Sequence, residues 1–186
     1  MNRRTGITLL ELIIAISLLG VVALAFTSIQ SFSQYHAIGS DRRAKVQNEL
    51  SFVLEHIAKN VQRASGDYTH PPIQSIANGF RVRVDVNVTP TPSTYADDTW
   101  YSYVLSGNSL SCNSEVLSTR IVSGVNTNYP TSAPAGNGFN FGLPDAGMTS
   151  IAVMLRGRYF PGNAVSIDNP ETMMGSRFST ASSASK

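Results

Sequence analysis

Residues 3–26 read RRTGITLLELIIAISLLGVVALAF: two arginines, then an almost unbroken apolar run with one carboxylate, Glu11, near its start. As a helix rising 1.5 Å per residue, Ile7–Phe26 covers roughly 30 Å, the hydrocarbon thickness of a bilayer. Arg3 and Arg4 precede it, so the positive-inside bias places the N-terminus in the cytoplasm and the remainder across the membrane. Two simple readings leave Glu11 without a purpose. Ala23-Leu24-Ala25 fits the cleavage site of an ordinary signal peptide, but a carboxylate has no role inside such a segment's apolar core. A plain membrane anchor does not need it either. Carboxylates within spanning segments are expensive and mark function, with a partner to be named.

Composition narrows the remaining classes. Charged residues make up only 14 % of the 186-residue chain. Ser, Thr, Asn and Gly crowd the part beyond residue 65, a flavour that suits an extracytoplasmic β-rich domain. The formal charge of +2 rests on 14 basic and 12 acidic side chains, and Arg3 and Arg4 supply the excess. No nucleic-acid-binding face is indicated by bulk charge. Cys112 is the single cysteine, which excludes an intramolecular disulfide and a cysteine-based metal cluster.

Beyond the apolar run the helical pattern continues. No proline occurs before Pro71, and Val46, Leu50, Val53, Leu54, Ile57, Val61 and Ala64 recur at spacings of three and four. That makes one apolar stripe, fit to lie on a sheet, with Gly66 as the predicted C-terminal stop. Gly20 and the Gly39-Ser40 pair are points where the helix could bend or melt to suit packing; Gly20 could equally serve close helix contact.

After residue 70 the period changes to two. GFRVRVDVNV (79–88) places Phe80, Val82, Val84, Val86 and Val88 on one face and Arg81, Arg83, Asp85 and Asn87 on the other. TWYSYVLSGNSLSC (99–112) reads as a hairpin around Ser106-Gly107-Asn108. TSIAVMLRGRYF (149–160) is a further strand, and STRIVSGV (118–125) and GNGFNF (136–141) are weaker ones. Residues 89–93 and 130–136 read as loops and 179–186 as a frayed tail. The fold class is α+β, a long N-terminal helix across an antiparallel sheet.

The N-terminal residues also carry a resemblance. Arg4-Thr5-Gly6 followed by Ile7-Thr8-Leu9-Leu10-Glu11-Leu12 resembles the type III signal of type IV prepilins and pseudopilins, with Ile7 where the family most often has Phe. The resemblance implies cleavage between Gly6 and Ile7 by a prepilin peptidase that also methylates the new amine of Ile7. It further implies that Glu11 serves filament assembly by meeting the N-terminal amine of a neighbouring subunit; pairing with the amine of its own Ile7 is the local alternative. A lone carboxylate in a low-dielectric setting is penalised, and much less so beside an opposite charge.

On this reading the chain divides into a cleaved leader (1–6), a membrane-spanning or filament-core helix (7–34), its amphipathic continuation (35–66), a β-sheet domain (67–178) and a tail (179–186). Its partners are the peptidase and methyltransferase, other pilin or pseudopilin subunits, an inner-membrane assembly platform and membrane lipid. It lies in the cytoplasmic membrane as a single-pass protein with the globular part outside, and later in a filament. The order of elements is most similar to W-type minor pilins and J-type pseudopilins, through residues 57–66, Tyr103–Leu110 and Val153–Leu155.

Catalysis finds little support. His36, His56 and His70 stand apart without ligand spacing, and no phosphate loop or nucleophile elbow occurs. Asp97-Asp98 reads as a solvated loop pair, and Cys112, Trp100 and Tyr101–Tyr103 as packing. No enzyme activity, metal or cofactor is expected. The rival reading is a membrane-anchored or secreted β domain that binds a surface ligand.

Overall fold

The computed structural model describes residues 8–87, 91, 94–132, 136–145 and 148–181. A single helix, α1 (Leu9–Gln62), runs for 54 residues, roughly 80 Å. It passes through Gly20 and Gly39-Ser40 without a break, so neither glycine acts here as the bend or melting point that the sequence allowed. From Leu9 to Ile38 the large apolar side chains stay 45–78 % exposed, and Gly39 is the first buried position. The stripe then does what its spacing predicts: Val46, Leu50, Val53, Leu54, Ile57 and Val61 are all buried.

The helix stops earlier than Gly66. It ends at Gln62 because the next residues are taken by pairing beside the sheet: Ala64 bridges Val84, and the Ser65 N–H donates to the Arg83 carbonyl at 2.9 Å. Gly66 serves the turn that follows. A Cβ there would meet the His70 carbonyl, the Pro72 nitrogen and the Arg83 guanidinium at 2.5–2.8 Å.

Two sheets replace the single one expected. In the first, β1 (Ile73–Ile76), β2 (Gly79–Val84), β3 (Thr99–Ser106), β4 (Ser109–Cys112) and β5 (Glu115–Ser118) pair antiparallel in sequence order. In the second, β6 (Val125–Asn126) pairs parallel with β7 (Phe139–Gly142), followed by antiparallel β8 (Ser150–Arg158) and β9 (Glu171–Ser179). The β3–β4 hairpin turns at Gly107 as predicted, with Ser106 opposite Ser109. β2 is shorter than the expected 79–88: it ends at Val84, Val86 is exposed, and Val88 lies outside the described residues. Of the weaker candidates, 118–125 becomes the ends of two different strands rather than one. Nine-residue β9 was not foreseen, since Met173, Gly175 and Arg177 interrupt any simple apolar pattern. It carries on through Ser179, and the Ala181 N–H donates to the Gln62 carbonyl at 3.3 Å, so the expected tail begins as ordered chain.

α1 lies chiefly on β8 and β9, and touches β2 and β5 as well. Phe80 ties the two sheets together, with its ring 5.1 Å from Tyr103, 5.8 Å from Phe139 and 5.3 Å from Phe141. The helix is further locked by ions. Glu49 meets Arg120 at 2.8 Å and accepts from the Ser118 hydroxyl at 2.6 Å, while Arg42 meets Asp168 at 3.3 Å and donates to its carbonyl at 2.7 Å. Tyr159 lies between the guanidinium groups of Arg42 and Arg120, at 5.3 and 4.1 Å.

Candidate functional site

The N-terminus of α1 is built by its first turn. Thr8 is the N-cap: its hydroxyl accepts from the Glu11 N–H at 3.3 Å, and the Glu11 carboxylate accepts from the Thr8 N–H at 3.4 Å. This reciprocal pair is a capping box, in which two otherwise orphaned donors are satisfied. Glu11 therefore holds its own helix start while facing outward. Its negative charge also lies at the positive end of the helix dipole. The signal lies in the sequence as Thr8-Leu9-Leu10-Glu11, the S/T-x-x-E pattern, in which Thr8 is the functional residue not singled out by charge or hydropathy. Gly6 and Ile7, the predicted cleavage and methylation residues, lie outside the described residues.

Beyond this turn the helix is suited to an apolar surround. Glu11 is the only Asp, Glu, Lys or Arg between Thr8 and Ser40. The hydroxyls within the run bond back to their own helix: Ser17 to the Ile13 carbonyl at 2.8 Å, Ser28 to Leu24 at 2.9 Å, Ser31 to Thr27 at 3.0 Å. That leaves few unsatisfied donors to lipid or to neighbouring helices. An 18-residue window reaches a mean hydropathy of 2.7 with none of it buried by the body, so the helix is long and apolar enough to cross a membrane.

Residues 1–27 match the family model described as the prokaryotic N-terminal methylation motif. The chain has a type IV prepilin-like N-terminus. The match takes in Gly6, Ile7 and Glu11, and such a motif implies processing by a prepilin peptidase and assembly with other pilin-type subunits. Neither the curated proteins nor the solved structures give a match to this chain.

The body of this prepilin-like chain holds the other residues singled out by sequence. Tyr103 is wholly buried; its hydroxyl meets His56 Nδ1 at 2.9 Å and accepts from Asn60 Nδ2 at 2.7 Å. Cys112 is buried nearby, and burial pushes its thiol up, away from the reactive thiolate. His70 stacks on Tyr95 at 4.7 Å, and His36 contacts Phe32. The three histidines are not brought together. Among the described residues no group of three or more His, Cys, Asp or Glu side chains is placed to hold a metal.

Asp97-Asp98 departs from the solvated-loop expectation. Asp97 is exposed and accepts from Asn87 at 2.7 Å, but the Asp98 side chain is fully buried, 3.5 Å from Arg83 Nε. Arg83, expected on the solvent face of β2, is itself buried. Its guanidinium donates to the carbonyls of Ser65 and His70 and stacks 4.3 Å from Tyr95 and 5.4 Å from Trp100. Burial, then the neighbouring Asp85 charge, raises the Asp98 carboxyl above its ordinary range, with Arg83 opposing. The group closes the segment that leaves α1 and reads as structural.

Proposed function

We propose that this chain is a structural subunit, a minor pilin or pseudopilin, of a type IV pilus or type II secretion-like filament. The observation that carries the reading is the first turn of α1, where one carboxylate opens an apolar helix left bare by the body. The leader is cut between Gly6 and Ile7, and Ile7 is N-methylated. The subunit waits in the membrane with its body outside, and is then moved into a filament whose core is built from such helices. The reading assigns no catalysis.

Glu11 acts twice on this account. In the waiting subunit it caps its own helix at Thr8. In the filament it turns to the Ile7 amine of the neighbour, where a full charge pair in low dielectric replaces weak bonds to a neutral amide. A mismatch by one turn leaves both charges alone, so the pair selects axial register more than it adds net stability. Glu11→Ala is expected to insert, be processed and fold, but to be missing from sheared filaments; Glu11→Gln is expected to fall between the two. Equal filament incorporation of Glu11→Ala and wild type would contradict the assembly role.

A further inference from the structure

The loop that joins β8 to β9 carries apolar side chains for which folding supplies no cover. Phe160, Val165 and Ile167 are 43–57 % exposed. The loop is nevertheless well tied. Buried Asn169 donates to the carbonyls of Phe160 and Ala164, both at 3.1 Å, and accepts from the Phe160 N–H at 3.0 Å. Arg42 fastens Asp168 to the helix and lies 5.1 Å from the Phe160 ring. A firmly held loop that presents apolar groups outward is shaped to meet something.

Its position says what. The Ile167 carbonyl rests against Gly39, the first buried residue of α1. Tyr35 and Phe32, at i−4 and i−7 from Gly39, share that helix face and are both exposed. The loop therefore meets the helix directly beyond an exposed aromatic pair, of which Tyr35 is a residue type enriched at membrane interfaces. With Phe32 and Tyr35 at the outer interface, Leu12–Phe32 fills the hydrocarbon, roughly 30 Å, and Glu11 sits at its inner edge, where a charge is less penalised. Gly39 then lies about 10 Å beyond Phe32 along the helix, a few ångströms outside a headgroup layer about 5–7 Å thick and within side-chain reach of it. Exposed Arg43 follows one turn, about 6 Å, further out along the helix.

We propose that the β8–β9 loop, led by Val165 and Ile167, contacts the outer leaflet of the bilayer that α1 spans, seating the body on the membrane before assembly. A leaflet fits better than a second helix because α1 from Leu9 to Ile38, up to the loop, is bare on every side, and lipid covers every side whereas one helix covers one. The proposal rests on the membrane-anchored reading above.

The test uses the full chain in phosphatidylethanolamine–phosphatidylglycerol vesicles with headgroup spin-labelled lipid as quencher. An environment-sensitive fluorophore is attached in turn at Val165→Cys, Tyr35→Cys and Tyr68→Cys; Tyr68 is exposed beyond the far end of α1, and Cys112 is buried away from the label. Quenching at 165 close to that at 35 and severalfold above that at 68 is expected, and Ile167→Asp is expected to reduce it severalfold with unchanged circular dichroism. Quenching at 35 with none at 165 overturns the proposal and leaves the spanning helix standing. Absence of quenching at both positions overturns the membrane reading and the proposal together. An unquenched 165 probe, with the unlabelled Val165→Cys chain forming disulfide-linked dimers under a mild oxidant such as copper–phenanthroline, shows a subunit contact instead, which also overturns it.

Discussion

The carbonyl of Ile167 occupies the place where a side chain on Gly39 would begin. This one approach sets where the bare helix ends and the body starts. Gly39→Ala gains about 1 kcal/mol of helix propensity but forces the loop away, at about 1–3 kcal/mol for overpacking. The expected result is a modest fall in Tm and faster hydrogen exchange over residues 159–170. A rise in Tm would show that the loop gives way freely.

Asp168 holds the same junction from the loop side. The Ser166 hydroxyl, its own backbone N–H and Arg42 keep its carboxyl below the ordinary range. A lowered value means that its contribution is present above about pH 4 and lost as pH falls through the folded-state value. Hydrogen exchange in the loop should rise on acidification below that point, and Asp168→Asn should remove the dependence. A pH-independent loop would contradict the Arg42–Asp168 tie.

Arg83 and Asp98 make the opposite case. The raised Asp98 carboxyl favours the folded chain in its protonated form, so that contribution is present below about pH 4 and lost as pH rises through the folded-state value. Removing Arg83 takes the counter-charge from the buried Asp98 carboxyl. Arg83→Leu should cost about 3–5 kcal/mol at neutral pH and clearly less at a pH below the ordinary carboxylate range, where Asp98 takes up its proton. Urea denaturation at both values measures the difference, and an equal cost would show that Arg83 acts only through its carbonyl bonds.

Much of this was legible beforehand. The stripe from Val46 to Val61, the β3–β4 hairpin and the apolar face of Phe80, Val82 and Val84 follow from period alone, because each buries one face against another element. β9 was hidden, since an edge strand half in solvent needs no clean alternation: Thr172, Met174 and Phe178 face inward while Gly175 and Arg177 face water. The division into two sheets also escaped notice, because it depends on Phe80 meeting Phe139 and Phe141 across a long sequence separation. Buried Arg83 and Asp98 carry no local signal that either would find the other. At the functional end, Glu11 stood out by its misplaced charge, while Thr8 lay unmarked in a pattern of four residues.

Tyr103→Phe tests the core between α1 and β3. It removes the hydroxyl that satisfies Asn60 and faces His56, leaving a buried amide donor unpaired. The expected loss is about 1–3 kcal/mol by thermal or chemical unfolding. Restoration by adding Asn60→Leu to the same chain would support the mechanism, whereas no loss in the single variant would refute it.

The two roles given to Glu11 separate by substitution. Thr8→Val removes the cap hydroxyl but keeps the acid, and should lower helicity at the first turn while leaving filament incorporation near wild type. Glu11→Ala removes the acid and its half of the capping box while the Thr8 hydroxyl stays, and should abolish incorporation. Equal defects in the two variants would mean that capping alone matters.

The most direct measurement is the N-terminus of the mature protein in its native membrane, read by intact-mass and fragment mass spectrometry. The mature chain is expected to start at Ile7 and to carry one added methyl group on the α-amine, with Gly6 variants retained as full-length precursor. A mature chain that keeps residues 1–6, or one that begins near Phe26 after removal of the apolar run, would contradict cleavage between Gly6 and Ile7.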